Sequence, residues 1–292
     1  MSDVMRFLGT GAGDGTPNPF CTCDICEKAR RVGKREIRTC SSFMLSDKVI
    51  IDIGPNYFMQ SYMYNVSFEK FEHALFTHMH DDHINYKMVW DRLVRNKGIK
   101  EPLNVYLVDE AYSFVTDFFL SSKLTEGSEN YIGEKNVLFK NVNFHETFAV
   151  DGFSVTPYRA AHGTSFEKNG ANFLIEKNGR KLYYGLDSGI FLPETYAALQ
   201  NQMLDFFIGE CTFPDPNQSA EECGPDHMNI AACLKNLDKL YDIGAIHKDT
   251  RILLSHIGPY CMGYEEFSEY VSKLDKPYRV EIAYDNMELG SL

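Results

Sequence analysis

Six residues between positions 78 and 83 hold three of the nine histidines of this 292-residue chain. They belong to the run Thr77-His78-Met79-His80-Asp81-Asp82-His83. Imidazoles bind zinc, iron or manganese, and a carboxylate between them can face a second ion. A polar loop that is rich in histidine for another reason is the alternative, but randomly placed histidines would lie about 32 residues apart. The cluster therefore predicts a metal site, placed at the end of a buried strand that the apolar segment Phe71–Phe76 predicts.

Composition narrows the class of protein. The net charge of −12 opposes binding to nucleic-acid phosphate unless a basic patch is present, so nucleic acid is disfavoured as a partner. The chain shows neither a signal-peptide pattern nor an apolar run long enough for a membrane span, and we expect a cytoplasmic protein without a membrane partner. Eight cysteines, three of them clustered, favour reduced thiols that bind metal over a disulfide framework.

The order of apolar segments predicts the fold. No repeat or linker interrupts the chain, so we expect one domain over residues 1–292. Periodicity predicts helices at Asn85–Arg95, Glu110–Ser121, Pro193–Gln202, Asn229–Asp242 and Tyr264–Leu274. Strands are predicted at Val4–Gly9, Phe43–Leu45, Val49–Gly54, Phe71–His78, Leu103–Val108, Val137–Asn143, Phe153–Ala160, Leu204–Ile208, Arg251–Ser255 and Tyr278–Ala283, with a hairpin over Asn172–Asp187 that turns at Asn178-Gly179. This order indicates an α/β (α+β) protein, a four-layer αββα sandwich.

Further ligands are expected where other strands end, because loops at one edge of a sandwich converge. Three residues fit this position: His162, Asp187 and His256 each follow an apolar strand-like run. Taken singly, each is equally well explained as an ordinary loop or turn residue. Together with the cluster at 78–83 they predict one site.

The pattern T-H-x-H-x-D-H, followed by a histidine, an aspartate and a last histidine, resembles the metallo-β-lactamase superfamily over almost the whole chain. The resemblance implies the αββα fold and a two-metal site. It assigns His78, His80 and His162 to one ion, Asp82, His83 and His256 to the other, and Asp187 to a bridge between them. An aspartate at 187 points to phosphodiesterase-like members, which use a metal-bridging hydroxide as nucleophile; Asp82 is placed to orient it. Zinc and manganese remain open as the catalytic ions, and zinc-bound water ionises near neutral pH.

Glu210 ends an apolar run, and His227 precedes the next predicted helix. The pair resembles the glutamate and histidine of tRNase Z and its relatives, which implies that His227 contacts the scissile phosphate and protonates the leaving oxygen. Glu210 would orient His227 and raise its pKa. The alternative makes Glu210 a solvent-facing residue at a strand end and His227 a polar residue at a helix start.

Three cysteines in Cys21-Thr22-Cys23-Asp24-Ile25-Cys26 follow a glycine-rich loop, Gly9–Gly15, which is a weak signal for phosphate and a stronger one for a tight turn. Clustered thiolates suit a structural zinc, and three free thiols are the alternative. Together with the histidine motif, the cluster resembles PhnP-type phosphodiesterases, which open cyclic ribose phosphates. That family completes its zinc site with a histidine where this chain has Pro259. We predict Cys261 as the fourth ligand, with Cys40 as the second choice.

The sequence thus predicts a dinuclear metal-dependent hydrolase that cleaves a small phosphodiester, such as a cyclic ribose or nucleotide phosphate. Its expected cofactors are two divalent ions, zinc or manganese, and one structural zinc. A tRNase Z-like RNA endonuclease is the second hypothesis; the net charge opposes it, and the one conspicuous basic run, Arg30–Arg35, is better explained as a solvated face. A non-catalytic metal-binding module is the third. The sequence leaves open whether the protein forms a homodimer.

Overall fold

Two seven-stranded sheets carry the apolar segments of the chain. The computed structural model describes residues 4–94, 98–99, 101–121, 136–162 and 170–292. The first sheet contains β1 (Met5–Gly9), β2 (Ser42–Met44), β3 (Val49–Ile51), β4 (His73–Leu75), β5 (Leu103–Val108), β6 (Val137–Val142) and β14 (Glu288–Gly290), in the order β14-β1-β2-β3-β4-β5-β6. The second contains β7 (Phe148–Val150), β8 (Phe153–Arg159), β9 (Ala171–Lys177), β10 (Arg180–Gly185), β11 (Phe206–Glu210), β12 (Arg251–Ser255) and β13 (Val280–Ile282), in the order β13-β12-β11-β10-β9-β8-β7.

Parallel pairing brings the ends of several strands to one edge. In the second sheet β10, β11 and β12 run parallel, with Gly185 opposite Gly209 and Glu210 opposite Ser255. In the first sheet β3 and β4 are also parallel, with Ile51 opposite Leu75. The carboxyl ends of parallel strands meet at the same edge, so the residues that follow these five strands lie close together. The predicted hairpin is confirmed, and its turn residues Asn178 and Gly179 have φ values of 54° and 79°.

Seven α-helices flank the sheets in the described part of the chain. They are α1 (Asp24–Val32), α2 (Tyr57–Tyr64), α3 (Tyr86–Val94), α4 (Asp109–Ser121), α5 (Pro193–Leu199), α6 (Ile230–Asp242) and α7 (Tyr264–Ser272). The five predicted helices correspond to α3–α7, and the predicted end at Arg95 lies outside the described residues. The sequence did not predict α1 and α2, because α1 buries only Cys26 and Ala29 and α2 buries only Gln60. Neither helix therefore packs a broad apolar face against the core.

The main core lies between the two sheets. Phe43 on β2 and Tyr184 on β10 are fully buried, and their ring centroids are 5.6 Å apart across the sandwich. A second cluster packs α5 and α6 on the outer face of the second sheet, around Tyr183 and Leu237. Burial of each large side chain contributes roughly 1.5–3 kcal/mol. The predicted four-layer αββα sandwich is confirmed. Among the described helices, none is both long and apolar enough to cross a membrane.

Candidate metal centre

The histidine-rich run occupies the loop between β4 and α3. A tight turn forms there, because the amides of His83 and Ile84 both donate to the carbonyl oxygen of His80, at 3.0 and 2.9 Å. Ile84 then pairs with Ile53 beyond the end of β3. The imidazoles and the carboxylate of this run are close together in the sequence. The turn places them at the sheet edge where β10, β11 and β12 end.

The first group of donors combines two histidines of this loop with one residue from each of two distant segments. His78 Nε2 lies 2.8 Å from His80 Nδ1 and 2.9 Å from Asp187 Oδ2. His162, which follows β8, places its Nε2 3.1 Å from the same nitrogen of His80. One ligand atom from each of the four residues lies within 4.8 Å of the others.

The second group shares Asp187 with the first. His83 Nε2 lies 3.3 Å from His256 Nε2, 3.1 Å from Asp187 Oδ2 and 3.4 Å from Asp82 Oδ2. These four residues also have ligand atoms within 4.8 Å of one another. The structure therefore brings together all seven residues that the sequence nominated for this site, divided as the family resemblance implies.

The donor arrangement fits divalent cations. Nitrogens that each lie roughly 2.0–2.1 Å from one tetrahedral ion are about 3.3 Å apart, close to the separations found between these rings. The imidazole nitrogens that lie 2.8 and 3.3 Å apart all face the centre of the site, where a cation can accept a lone pair from each neutral ring. In addition, Oδ1 of the buried Asp187 accepts no hydrogen bond from the described residues, although His227 Nδ1 lies 3.0 Å away. A cation would satisfy these atoms.

In three of the histidines, Nδ1 points away from the donor groups and makes a hydrogen bond. This bond holds Nε2 of the same ring in place within the site. Nδ1 of His83 lies 2.8 Å from Asp52 Oδ2, and Nδ1 of His256 lies 2.9 Å from Thr212 Oγ1. His162 Nδ1 lies 3.1 Å from the carbonyl oxygen of Asp226. Such contacts fix the tautomer and orientation of metal-binding histidines. The sequence analysis missed Asp52 and Thr212, although Asp52 is also a polar residue directly after an apolar strand.

Three site residues that follow strands have a left-handed backbone. Asp52, Asp187 and His256 have φ values of 59°, 54° and 51°. This conformation is uncommon for residues other than glycine and costs roughly 1–3 kcal/mol, so the surrounding structure must stabilise it. Here it turns each side chain from its strand end into the site.

Burial and charge set the protonation of the metal-free site. Burial lowers the pKa of His78 to about 3, which leaves its ring neutral and able to bind a cation. Burial also opposes the charge on His256, but the neighbouring Asp187 and Asp82 outweigh it and raise its pKa to about 9. Although burial alone would raise the pKa of Asp187, the charge of the neighbouring His256 holds it well below its usual range. A cation bound at this ring would therefore have to displace its proton.

Glu210 and His227 lie beside the shared carboxylate. Glu210 is fully buried as the last residue of β11, which excludes the alternative of a solvent-facing strand end. Its Oε1 accepts the Met228 amide at 2.7 Å, and its Oε2 lies 3.2 Å from His227 Nδ1. Burial lowers the pKa of His227, but the neighbouring carboxylates of Asp187 and Glu210 outweigh this and raise it to about 10. Thr212 joins the pair to the donor groups, since its hydroxyl contacts Glu210, His227 and His256.

The cysteine cluster forms a separate group at the start of α1. Thiols of Cys21, Cys23 and Cys26 lie within 4.8 Å of one another. Cys261, which we predicted as the fourth ligand, is not part of this group, because its thiol contacts the Asp215 carboxylate instead. Cys40, the second choice, is buried in the sandwich with its thiol 3.9 Å from the carbonyl oxygen of Gly13. The structure therefore brings three donors together and leaves both candidates for a fourth outside.

Comparisons with known proteins agree with this fold. The family model of the beta-lactamase superfamily domain matches residues 47–257. No curated protein sequence matches the chain. Among solved structures, a diphosphatase from the PhnP family is 19% identical with a TM-score of 0.72, covering 99% of this chain and 97% of the other. Zn²⁺-bound PqqB from Methylobacterium extorquens is 19% identical with a TM-score of 0.73, covering 98% and 99%.

The short form of human tRNase Z is 17% identical with a TM-score of 0.64, and the match covers 99% of each chain. At these identities the three structures show a shared fold. The matched family model spans most of the chain, from the strand before Asp52 to the residue after His256. The chain is thus a member of the beta-lactamase superfamily domain family, with the metallo-β-lactamase fold.

Proposed function

We propose that the protein is a dinuclear hydrolase that cleaves a small phosphodiester, such as a cyclic ribose or nucleotide phosphate. The observation that carries this proposal is the position of Asp187, whose carboxylate belongs to both donor groups and also lies 3.0 Å from His227. A carboxylate shared in this way suits two ions held side by side, with a proton donor next to them. The ions are zinc or manganese, because imidazole and carboxylate donors suit both.

The residues of each donor group would hold one ion. Two divalent ions in this site would stabilise negative charge on phosphoryl oxygens and lower the pKa of water near to neutrality. Asp82 belongs to the second group and keeps a pKa well below its usual range, because the charges of His83 and His256 outweigh its burial. Its ionised carboxylate can accept a hydrogen bond from the attacking water and so orient it toward phosphorus.

His227 would supply the proton that an alkoxide leaving group needs. Its Nδ1 faces Glu210 and Asp187, at 3.2 and 3.0 Å, so its Nε2 is left for a substrate. The side chain is 29% exposed, whereas Asp187 beside it is only 2% exposed. A protonated ring held by two buried carboxylates and open to solvent on its other side suits a general acid.

We also propose that the cysteine cluster holds a structural zinc. Cys21, Cys23 and Cys26 are already grouped, and thiolates at such spacing are typical zinc ligands. Cys261 remains our candidate for the fourth ligand, because the Pro259 carbonyl oxygen, two residues earlier, lies 4.0 Å from the Cys23 thiol.

A substrate panel tests the proposed reaction. Metal-loaded protein is incubated with a 2′,3′-cyclic nucleotide and with precursor tRNA. A nucleoside diphosphate is included because one structure with this fold is a diphosphatase. We expect turnover of the cyclic phosphodiester. If only the diphosphate is turned over, the substrate class is a phosphoanhydride and not a phosphodiester. If only the tRNA is cleaved, the protein is an RNA endonuclease. If two ions bind and none of the three is cleaved, the protein is a metal-binding module.

A further inference from the structure

Two aromatic side chains, Phe213 and Tyr260, stand beside His227 and form what we call the aromatic wall. The ring centroids of Phe213 and His227 are 6.1 Å apart at an angle of 84°. Those of Phe213 and Tyr260 are 5.1 Å apart at 44°. Tyr260 is 38% exposed and Phe213 is half-buried, so both rings present apolar surface to solvent next to a highly polar site. Core packing does not account for this placement.

The backbone builds the aromatic wall from the loops that also carry the site residues. Phe213 follows Glu210 at the end of β11, and Tyr260 follows His256 at the end of β12. The Gly258 amide donates to the Thr212 carbonyl at 3.0 Å and ties the two loops together. A Cβ at Gly258 would lie 2.3 Å from Cε2 of Tyr260, so glycine is needed for the ring to lie there. The wall is therefore preorganised relative to His227.

The outer end of the wall is attached to the glycine-rich loop. The Tyr260 hydroxyl donates to Asp14 Oδ2 at 2.6 Å. The neighbouring Gly13 borders the second donor group, since a Cβ there would lie 3.2 Å from Asp82 Oδ2. On the far side of the wall from its contact with His227, two carboxylates, Asp14 and Asp215, are its neighbours among the described residues. Such surroundings repel a further phosphate but accept a neutral planar ring.

We propose that Phe213 and Tyr260 bind a nucleobase by stacking, so that the substrate is a nucleoside phosphodiester and not a base-free sugar phosphate. This inference rests on the proposed function, because it places the phosphate at His227. In a nucleotide, one ribose separates the phosphate from the base. A phosphate held by His227 and the donor groups therefore brings the base to the neighbouring ring, where aromatic side chains stack with any base.

Binding measured by calorimetry tests whether the aromatic wall stacks a base, and it does not require turnover. Metal-loaded protein is titrated with AMP and with ribose 5-phosphate, which differ only by the base. We expect AMP to bind more tightly by roughly 5- to 150-fold, the usual range for stacking of one base. Phe213→Leu and Tyr260→Leu should bring this ratio toward one. Tyr260→Phe keeps the ring and removes only the bond to Asp14, so it should retain the preference.

Tyr62→Leu is the matched control, because Tyr62 is an 87% exposed ring on α2 and should leave the ratio unchanged. Equal affinity for the two ligands in the unaltered protein would overturn the proposal. An equal loss in Tyr260→Phe and Tyr260→Leu would also overturn it, since the hydroxyl and not the ring would then be responsible. If the protein prefers AMP but hydrolyses none of the phosphodiesters, only the proposed function is rejected. If it hydrolyses a phosphodiester but does not prefer AMP, only base stacking on the aromatic wall is rejected.

Discussion

The Asp52 carboxylate lies 2.8 Å from Nδ1 of His83, and both side chains are fully buried. The same carboxylate accepts the amide of Thr77 at 2.8 Å and its hydroxyl at 2.9 Å. Asp52 follows β3, whereas Thr77 and His83 belong to the loop after β4. This one residue therefore connects two strand ends and directs Nε2 of His83 toward Asp187.

Asp52→Asn should weaken binding of one ion of the pair. Asparagine keeps the volume of the side chain but loses the charge that orients His83, and loss of such outer contacts typically lowers metal affinity 10–100-fold. Metal titration followed by calorimetry measures the effect. Asp151→Asn, in the exposed turn between β7 and β8, is the control. Unchanged affinity in Asp52→Asn would show that the contact does not support the site.

The site should bind two divalent ions, because its seven donors exceed what one tetrahedral ion can use. Elemental analysis after full reconstitution should give two equivalents beyond those held by the cysteines. His80→Ala removes a donor of the first group and should abolish turnover. His145→Asn serves as the control, since His145 is exposed and asparagine tolerates its φ of 65°. A single equivalent would reject the dinuclear site.

Metal binding should strengthen as the pH rises. In the metal-free protein the pKa of His256 is about 9, so below that pH the ring is protonated and a cation must displace the proton. Because protons compete with metal for the ring, affinity should increase by about tenfold per pH unit for each proton released between pH 7 and 9. Calorimetry in buffers of different ionisation enthalpy counts the protons. Affinity that does not change with pH would contradict the protonated His256.

Cys23→Ala should remove one equivalent of zinc and lower the melting temperature, while the catalytic ions remain. Thiolate ligation contributes to folding free energy, so its loss affects stability before chemistry. Cys261→Ala tests the fourth ligand by the same two measurements. Cys223→Ala is the control, because that half-buried thiol contacts the Ala220 carbonyl away from the cluster. If Cys23→Ala changes neither zinc content nor melting temperature, the cluster is not a metal site.

His227→Ala should slow cleavage of alkyl or ribose diesters far more than cleavage of p-nitrophenyl diesters. General acid catalysis is typically worth about 10²–10⁴ in rate, and a leaving group that departs as a stable anion needs little of it. Rate constants for the two substrate classes, measured with metal content verified, give the comparison. Equal losses on both classes would mean that His227 binds phosphate without donating a proton.

Local patterns in the sequence were sufficient to nominate the seven residues that the structure brings together, and to predict most of the fold. His78, His80 and His83 lie close together because they share one loop, and His162, Asp187 and His256 could be nominated because each follows an apolar strand. Alternating and continuous apolar runs located most of the strands, and the sandwich followed from their order. These inferences succeed because strand periodicity and the polar residues at strand ends are properties of neighbouring residues.

Only the tertiary structure showed which residues support the site. Asp52 contacts a histidine 31 positions away, and Tyr260 reaches Asp14 across 246 positions. The same applies to Cys261, which turns toward Asp215 and away from the three grouped cysteines. Such contacts depend on the register of strands and on left-handed backbone at strand ends. They are decided by the packing of segments that are distant in the chain, which no local pattern records.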